Sequence, residues 1–402
     1  MTHIAFFGHD SGDAAVKRRV QNFRDDGMTV TGFMMRRNDG PPPAWENVDL
    51  GRTADAAYVQ RVKSIFSGAR IAATEAEKLK AADLIYARNL DMLALAFEAK
   101  RQLRLDTRVV YECLDVHRLL SRRDPLGMSL RTIESALLRR CAGVVVSSPG
   151  FLTNHFERYY RGQYKAFLLE NRMAAGADYG PRPSADTAPA VAAPIAAPIP
   201  ANDAGTARPP PLRLGWIGIL RCARSLDLLL TTARELGPDI EIHLHGKPAE
   251  TEIPDFHEKV KQAPNLTFHG RYSAPEDLSK IYGGLDLVWA GDFMEAGQNS
   301  VWLLPNRLYE GGYYGVPAIA PTGTQTSKWI EARKVGFSLE ENLETTLPDF
   351  LRRISADRGK IARRRASLLA LPESDFIQPP GALREVIEAC LGAEADQPRE
   401  VA

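Results

Sequence analysis

The chain has 402 residues, 44% of them apolar and 25% charged, a composition that excludes a disordered or fibrous protein and allows two or three domains with sizeable cores. Lys and Arg number 51 against 50 Asp and Glu, and a net charge of +1 is too balanced for a general nucleic-acid binder, so no nucleic-acid partner is expected. Cys113, Cys141, Cys222 and Cys390 lie far apart with no C-x-x-C pair, which excludes a zinc cluster or disulfide scaffold and reads as a reducing compartment.

The first residues reach Gly8 and Asp10 too soon for a signal peptide, and no apolar run approaches the ~18 residues of a membrane span. A cytoplasmic location is expected, with peripheral attachment to the inner face of the membrane left open. In chain order, Ile4 to Phe7 reads as a buried strand, Gly8 to Asp13 as a loop, Ala14 to Asp26 as a helix and Met28 to Met35 as a second strand, which begins a βαβ pattern. Further strands are predicted at 84–86, 108–114 and 143–147, with helices near 54–66, 72–81, 91–104 and 129–141.

Residues 181–211 contain nine prolines and ten alanines, too few amide donors and large side chains to build a core, and are expected to be a flexible linker. After it the pattern restarts, with strands predicted at 213–217, 240–245, 266–269, 285–290 and 317–320 and helices at 225–236, 275–282 and 306–314. The expected organisation is an α/β protein of two Rossmann-like domains, 1–180 and 212–390, with mainly parallel sheets facing across a cleft, and a polar tail at 391–402.

Ligands in such sheets sit beyond the carboxyl ends of the strands, so the chemistry-bearing residues are sought there. Asp13 ends the first loop, where a helix start exposes it toward a ligand; the alternative for this loop is that Asp10 or Ser11 simply caps the helix. Asp115 and His117 follow the 108–114 strand and can supply a proton acceptor with its orienting partner. Between 118 and 140, six arginines (Arg118, Arg122, Arg123, Arg131, Arg139 and Arg140) are interleaved with leucines, a pattern that suits either an anionic membrane surface or an ordinary charged face over core packing.

In the second half, Gly218 and Arg221 form a turn suited to phosphate oxygens, and Gly246 with Lys247 offers a second phosphate-side position. The histidines His243, His245 and His257 lack metal-ligand spacing, and no metal is expected. Glu310 lies in a predicted helix beside Gly311 and Gly312, where a carboxylate can accept paired hydrogen bonds from two ribose hydroxyls. Arg307, one turn earlier, is the alternative partner in an i,i+3 surface ion pair. Thr322, Gly323, Thr324 and Gln325 precede a predicted helix whose amino end favours a diphosphate.

The succession Gly218–Arg224, Leu244–Lys247, Asn265–Tyr272, Leu285–Val288 and Asn306–Ala320 resembles the nucleotide-sugar half of the GT-B glycosyltransferases. The opening FFGHDSGDAAVKRRVQNF and the segment YECLDVHRLL resemble bacterial exopolysaccharide glycosyltransferases of the succinoglycan-assembly type. The resemblance implies transfer of a hexose from a nucleoside-diphosphate sugar, such as a UDP-sugar, to a lipid-diphosphate-linked oligosaccharide, with no bound cofactor. It assigns Glu310 to the ribose, Arg307 and the 322–327 loop to the nucleotide and diphosphate, and Arg221 to phosphate charge. The retaining members carry a second glutamate eight positions before the first, where this chain has Trp302, so inversion is expected, with Asp13 or Asp115 as base and His117 in support. A UDP-sugar epimerase and a non-catalytic glycan- or partner-binding protein are the alternatives.

Overall fold

The computed structural model describes residues 1–37, 40–52, 58–184, 209–295 and 297–392. The chain forms two compact units, Met1–Gly176 together with the segment from Gln378 on, and Ala177–Ile377.

The first unit is built on seven parallel strands: β1 (His3–Gly8), β2 (Thr29–Arg36), β3 (Asn47–Arg52), β4 (Leu84–Arg88), β5 (Arg108–Cys113), β6 (Gly143–Val146) and β7 (Ala166–Leu168). They pair in the order β3-β2-β1-β4-β5-β6-β7. β1 is central and covered on both faces, which is why Ile4 to Phe7 is a continuous apolar run with no polar alternation. Helix α1 (Ala14–Asp25) lays Val16, Val20 and Phe23, spaced 4 and 3 apart, against Ile4, Phe6 and Tyr86. Helices α2 (Asn89–Leu103) and α3 (Pro125–Leu138) provide crossovers on this sheet.

The second unit repeats the plan with β8 (Leu212–Leu220), β9 (Ile240–Pro248), β10 (Leu266–Phe268), β11 (Leu287–Trp289), β12 (Ala318–Pro321) and β13 (Phe337–Leu339), in the order β10-β9-β8-β11-β12-β13. All pairings are parallel. Leu226, Leu229 and Ala233 of α4 (Ala223–Leu236) pack on Trp216, Leu244 and Trp289. Helices α5 (Asn306–Tyr313) and α6 (Gln325–Arg333) flank β12. In each sheet the strand order reverses beside the first strand of the unit, between β1 and β4 and between β8 and β11, and these switch points are where a doubly wound sheet opens for a ligand.

Three expectations are corrected. The C-terminal helix α7 (Ala382–Leu391) does not close the second unit: its Leu383, Val386, Ile387 and Cys390 join the core of the first, which ends at Gly176 before resuming at Gln378. Its apolar spacing says only that it must be buried somewhere. β8 and β9 run three residues beyond their predicted ends, so Gly218 and Gly246 are strand residues and not a turn. The short strands β3, β7 and β13 escaped the sequence reading because all three lie at or near sheet edges and bury little apolar surface. Of the expected linker 181–211, residues 185–208 lie outside the described residues, as does the tail from 393, and Arg182 at the linker's start donates to Leu368 O and Leu371 O. Among the described residues no helix is long and apolar enough to cross a membrane.

Candidate active site

In the second unit the switch point is lined by side chains that come from distant parts of the sequence. β8 delivers Gly218 and, just past its end, Arg221; the loop after β11 delivers Gly291 and Asp292; α5 delivers Arg307 and Glu310. Arg221 Nε and Nη2 each lie 3.3 Å from Asp292 Oδ2, while Asp292 Oδ1 accepts from Met294 N and Ser300 Oγ, both at 2.9 Å. Burial pushes the Asp292 carboxyl up, but Arg221 and the Met294 amide outweigh it and hold it below the ordinary aspartate value. The loops after β8 and β11 are tied together by Cys222, whose Sγ accepts from Ser225 N at 3.4 Å and Phe293 N at 3.2 Å.

Arg307 is buried, donating from Nη2 to Gly291 O at 3.2 Å, and its Nε has no partner. Gly218 has a φ of +120°, and a Cβ there would stand 4.0 Å from Arg307 Nη1. Glu310, on the same helix, is also buried and accepts at Oε2 from Tyr282 OH at 2.9 Å. The surface ion-pair alternative is therefore excluded, because neither residue is on the surface. Burial and the nearby Glu310 carboxylate raise the Tyr282 phenol well above its usual value, so it remains a donor. The paired glycines of α5 serve packing: a Cβ on Gly312 would reach within 2.3 Å of Phe376 Cε1, and one on Gly311 within 3.3 Å of Val288 Cγ1.

The remaining donor-side expectations divide. Gly246 faces Gly218 across the β8–β9 pair, and a Cβ at Gly246 would fall 1.8 Å from Gly218 O, so this glycine is required for strand packing. Lys247 is exposed beside it, opposite Ile219. In the 322–325 loop, Thr322 N donates to Leu339 O, Gly323 takes a φ of +84°, and Thr324 caps α6 by accepting from Ser327 N at 3.0 Å. Gln325 opens that helix.

In the first unit Asp13 is the N-cap of α1, its Oδ1 accepting from Ala15 N at 2.8 Å and Val16 N at 3.1 Å. Beside it His9 is held neutral: burial lowers its pKa, and the surrounding charges (Asp13 and Asp10 raising, Arg88 and Arg37 lowering) do not restore it. β5 ends at Cys113, so Asp115 and His117 occupy a turn and not a continuing strand. Asp115 is exposed there, and His117 Nδ1 lies 3.4 Å from Leu119 N. Asp13 and the Asp115–His117 pair share the carboxyl edge of the sheet on loops separated by β4.

The sequence reading passed over several residues that the fold makes prominent. Glu112 is fully buried and accepts from Arg19 Nε at 2.8 Å and Arg88 Nε at 2.6 Å. A lone glutamate inside the apolar strand RVVYEC is the signal for such a pair, since a buried carboxylate must find cations. His269, not His257, completes the histidine group: its Nε2 is 3.0 Å from His243 Nδ1 and its ring stacks on His245 at 4.2 Å. Asp292 had no local signal.

With this geometry in view, the chain was compared with known proteins. No family model matches it. It is 38% identical over 354 residues to the succinoglycan biosynthesis protein ExoL of Rhizobium meliloti (strain 1021), covering 86% of this chain and 84% of that one. The chain belongs to the GT-B glycosyltransferase family of this succinoglycan biosynthesis protein. Solved structures agree on the fold. Sucrose-phosphate synthase from Thermosynechococcus elongatus superposes with a TM-score of 0.71 at 14% identity, covering 96% of this chain and 98% of the other. Anabaena Alr3699/HepE in complex with UDP gives 0.66 at 13% identity, covering 96% and 99%. The Arg221–Asp292–Arg307–Glu310 group lies in the second unit.

Proposed function

We propose that the protein transfers a hexose from a UDP-sugar to a lipid-diphosphate-linked saccharide during exopolysaccharide assembly, with inversion at the transferred carbon. The observation that carries the donor reading is the placement of buried Glu310 and Arg307 beside Arg221 at the β8–β11 switch point. A buried carboxylate on a fixed helix suits two ribose hydroxyls, and two guanidinium groups next to it suit the diphosphate that leaves with the nucleotide. The amino end of α6, with Gly323 and Gln325, adds amide dipoles for the same charge. The structure of Anabaena HepE with UDP, similar in fold, and the exopolysaccharide assignment of ExoL support this choice of donor and pathway.

For inversion the acceptor hydroxyl attacks the anomeric carbon from the face opposite the diphosphate, and its proton passes to a carboxylate or imidazole base. Asp13 is the leading base: one oxygen holds the helix cap, which fixes the carboxylate without using both oxygens. Asp115 with His117 is the second choice, being exposed at the same sheet edge. The positive charge of Arg221 and Arg307 stabilises the departing diphosphate.

The test is binding and hydrolysis across UDP-glucose, UDP-galactose, UDP-glucuronate, GDP-mannose and dTDP-rhamnose, with wild type beside Glu310→Ala. One donor bound by the wild type and weakened by at least about tenfold in the variant is the expected result. Failure to bind any of them overturns the transferase reading.

A further inference from the structure

The strand order of the first sheet reverses between β1 and β4, and two segments flank that point: Gly8 to Asp13 after β1, and Arg88 with Asn89 where β4 passes into α2. Arg88 is fully buried, its guanidinium carbon 5.3 Å from the centre of the Phe6 ring. Its Nε donates to Glu112 Oε2 at 2.6 Å, yet neither Nη1 nor Nη2 has a hydrogen-bond partner among the described residues. Arg19 is similar: Nε donates to Glu112 Oε1 at 2.8 Å and Nη1 has no partner. A buried donor in this state has given up its hydration and gained nothing in return.

The charges do not close either. Two guanidiniums share one carboxylate, Glu112. Tyr86 adds no negative charge, since burial and then Glu112 raise its phenol well above the usual value. The neighbouring acids serve other groups: Asp13 caps α1, Asp10 faces Arg37 at 3.8 Å, and Asp26 accepts from the Gly381 and Arg384 amides past the end of α1. Asp91, half-buried in the first turn of α2, complements the dipole of that helix. The buried layer under α1 is left with an excess of positive charge, which draws in an anion.

Hydrogen-bonding groups of the other kind stand beside it. Asn89 takes a φ of +68° and leaves Oδ1 without a partner, and His9 Nδ1 is buried without one. Burial, with help from the Arg88 charge, keeps the His9 imidazole neutral. No side chain caps α2. His9 and Asn89 are both half-buried, so solvent reaches the switch point at these two residues.

We propose that the switch point of the first unit holds an oxyanion, a phosphate or a sugar carboxylate, on Arg88, with Asn89 and His9 meeting hydroxyls beside it. The guanidinium fork presents paired N–H groups to two oxygens of the anion, and Asn89 Oδ1 accepts from a neighbouring hydroxyl. The inference rests on the proposed transfer and adds what its acceptor carries near the reacting hydroxyl: an anionic group.

The full chain is titrated calorimetrically with inorganic phosphate, pyrophosphate and glucuronate at constant ionic strength, as wild type, Arg88→Lys, Asn89→Asp and Arg221→Met. Arg88→Lys keeps the charge beside Glu112 and removes the fork. Asn89→Asp keeps the size and the tolerance of positive φ and sets a negative charge against the anion. The expected result is an oxyanion bound by wild type and by Arg221→Met, and weakened at least about tenfold in each of the other two variants. Preference for phosphate or pyrophosphate assigns a phosphorylated acceptor; preference for glucuronate assigns a sugar acid. Asn89 is half-buried, so Asn89→Asp retains the wild-type melting temperature and tests the site even where Arg88→Lys loosens the core. No oxyanion bound, or binding lost in Arg221→Met and unchanged in the two first-unit variants, overturns the proposal. A protein that binds UDP-sugar but no oxyanion through Arg88 loses this site alone; one that binds the oxyanion there but no UDP-sugar loses the transferase reading and keeps the site.

Discussion

Arg221 and Asp292, 71 positions apart, meet at 3.3 Å across the switch point of the second sheet. The carboxylate is anchored on its far oxygen by Met294 N and Ser300 Oγ, whereas Arg221 is about one-third exposed. On the proposed donor reading, the partly exposed arginine is the partner that turns from Asp292 to the diphosphate. Replacing it with methionine is expected to weaken UDP binding by about ten- to a hundredfold, the range for losing charge-assisted hydrogen bonds. Asp292→Asn is expected to bind UDP at least as tightly as wild type, since it removes a competing negative charge. Calorimetric titration of both variants with UDP checks the pair.

Tyr282 holds Glu310 Oε2 through one hydrogen bond inside the unit. Tyr282→Phe keeps the ring and deletes that donor, with an expected loss of about 1–3 kcal/mol in stability for a buried acceptor left short. Donor affinity falls by less than in Glu310→Ala, because the carboxylate remains. Urea unfolding and UDP titration on the same variant separate the two effects.

Glu112 stands between Arg19 and Arg88, and all three side chains are buried. Burial favours the protonated acid, but the two guanidiniums outweigh it and hold Glu112 below the ordinary glutamate value. Glu112→Gln leaves two buried cations without their counter-charge and is expected to destabilise the first unit by about 3–5 kcal/mol. The chain has two units, so the measurement is the transition of the first, followed by near-ultraviolet circular dichroism in urea.

The three stacked histidines of the second unit give a pH dependence with a definite sign. Burial, followed by the neighbouring imidazoles, lowers His243 to about 3 and His245 to about 4, and burial lowers His269 as well. The charges around them are Glu241, 3.6 Å from His243 Nε2, and Arg213, Asp277 and Lys280 at longer range. The unfolded chain takes up protons near pH 6.5 while the folded unit does not. Stability is therefore fully present above about pH 6.5 and is lost as the pH falls from there toward 4. A drop in Tm of about 5 °C between pH 7 and pH 5 is expected, and His245→Phe should flatten it.

The order of the elements was legible because each signal is local. Apolar runs without alternation marked the strands β1, β4 and β5, the alternating Ile240–His245 marked β9, and the i, i+4, i+7 spacing of Val16, Val20 and Phe23 marked α1. Glu310 was legible because a carboxylate beside two glycines in a helix is locally costly. Asp13 was read as a ligand-facing acid with the cap left to Asp10 or Ser11, and the structure gives the capping geometry to Asp13 itself. Asp292 and Glu112 were not identified, since their meaning depends on Arg221, Arg19 and Arg88, which other strands and helices deliver.

By itself the sequence determined two successive α/β units and the family, because periodicity, glycine placement and motif order are written in consecutive residues. Only the tertiary structure decided which charges meet, that Gly218 and Gly246 are opposed strand residues, that α7 returns to the first unit, and that Arg88 is buried with its terminal nitrogens unpaired. The physical reason is the same in each case. Strand order in a parallel sheet joins segments dozens of residues apart, and burial then fixes which side of each helix is free.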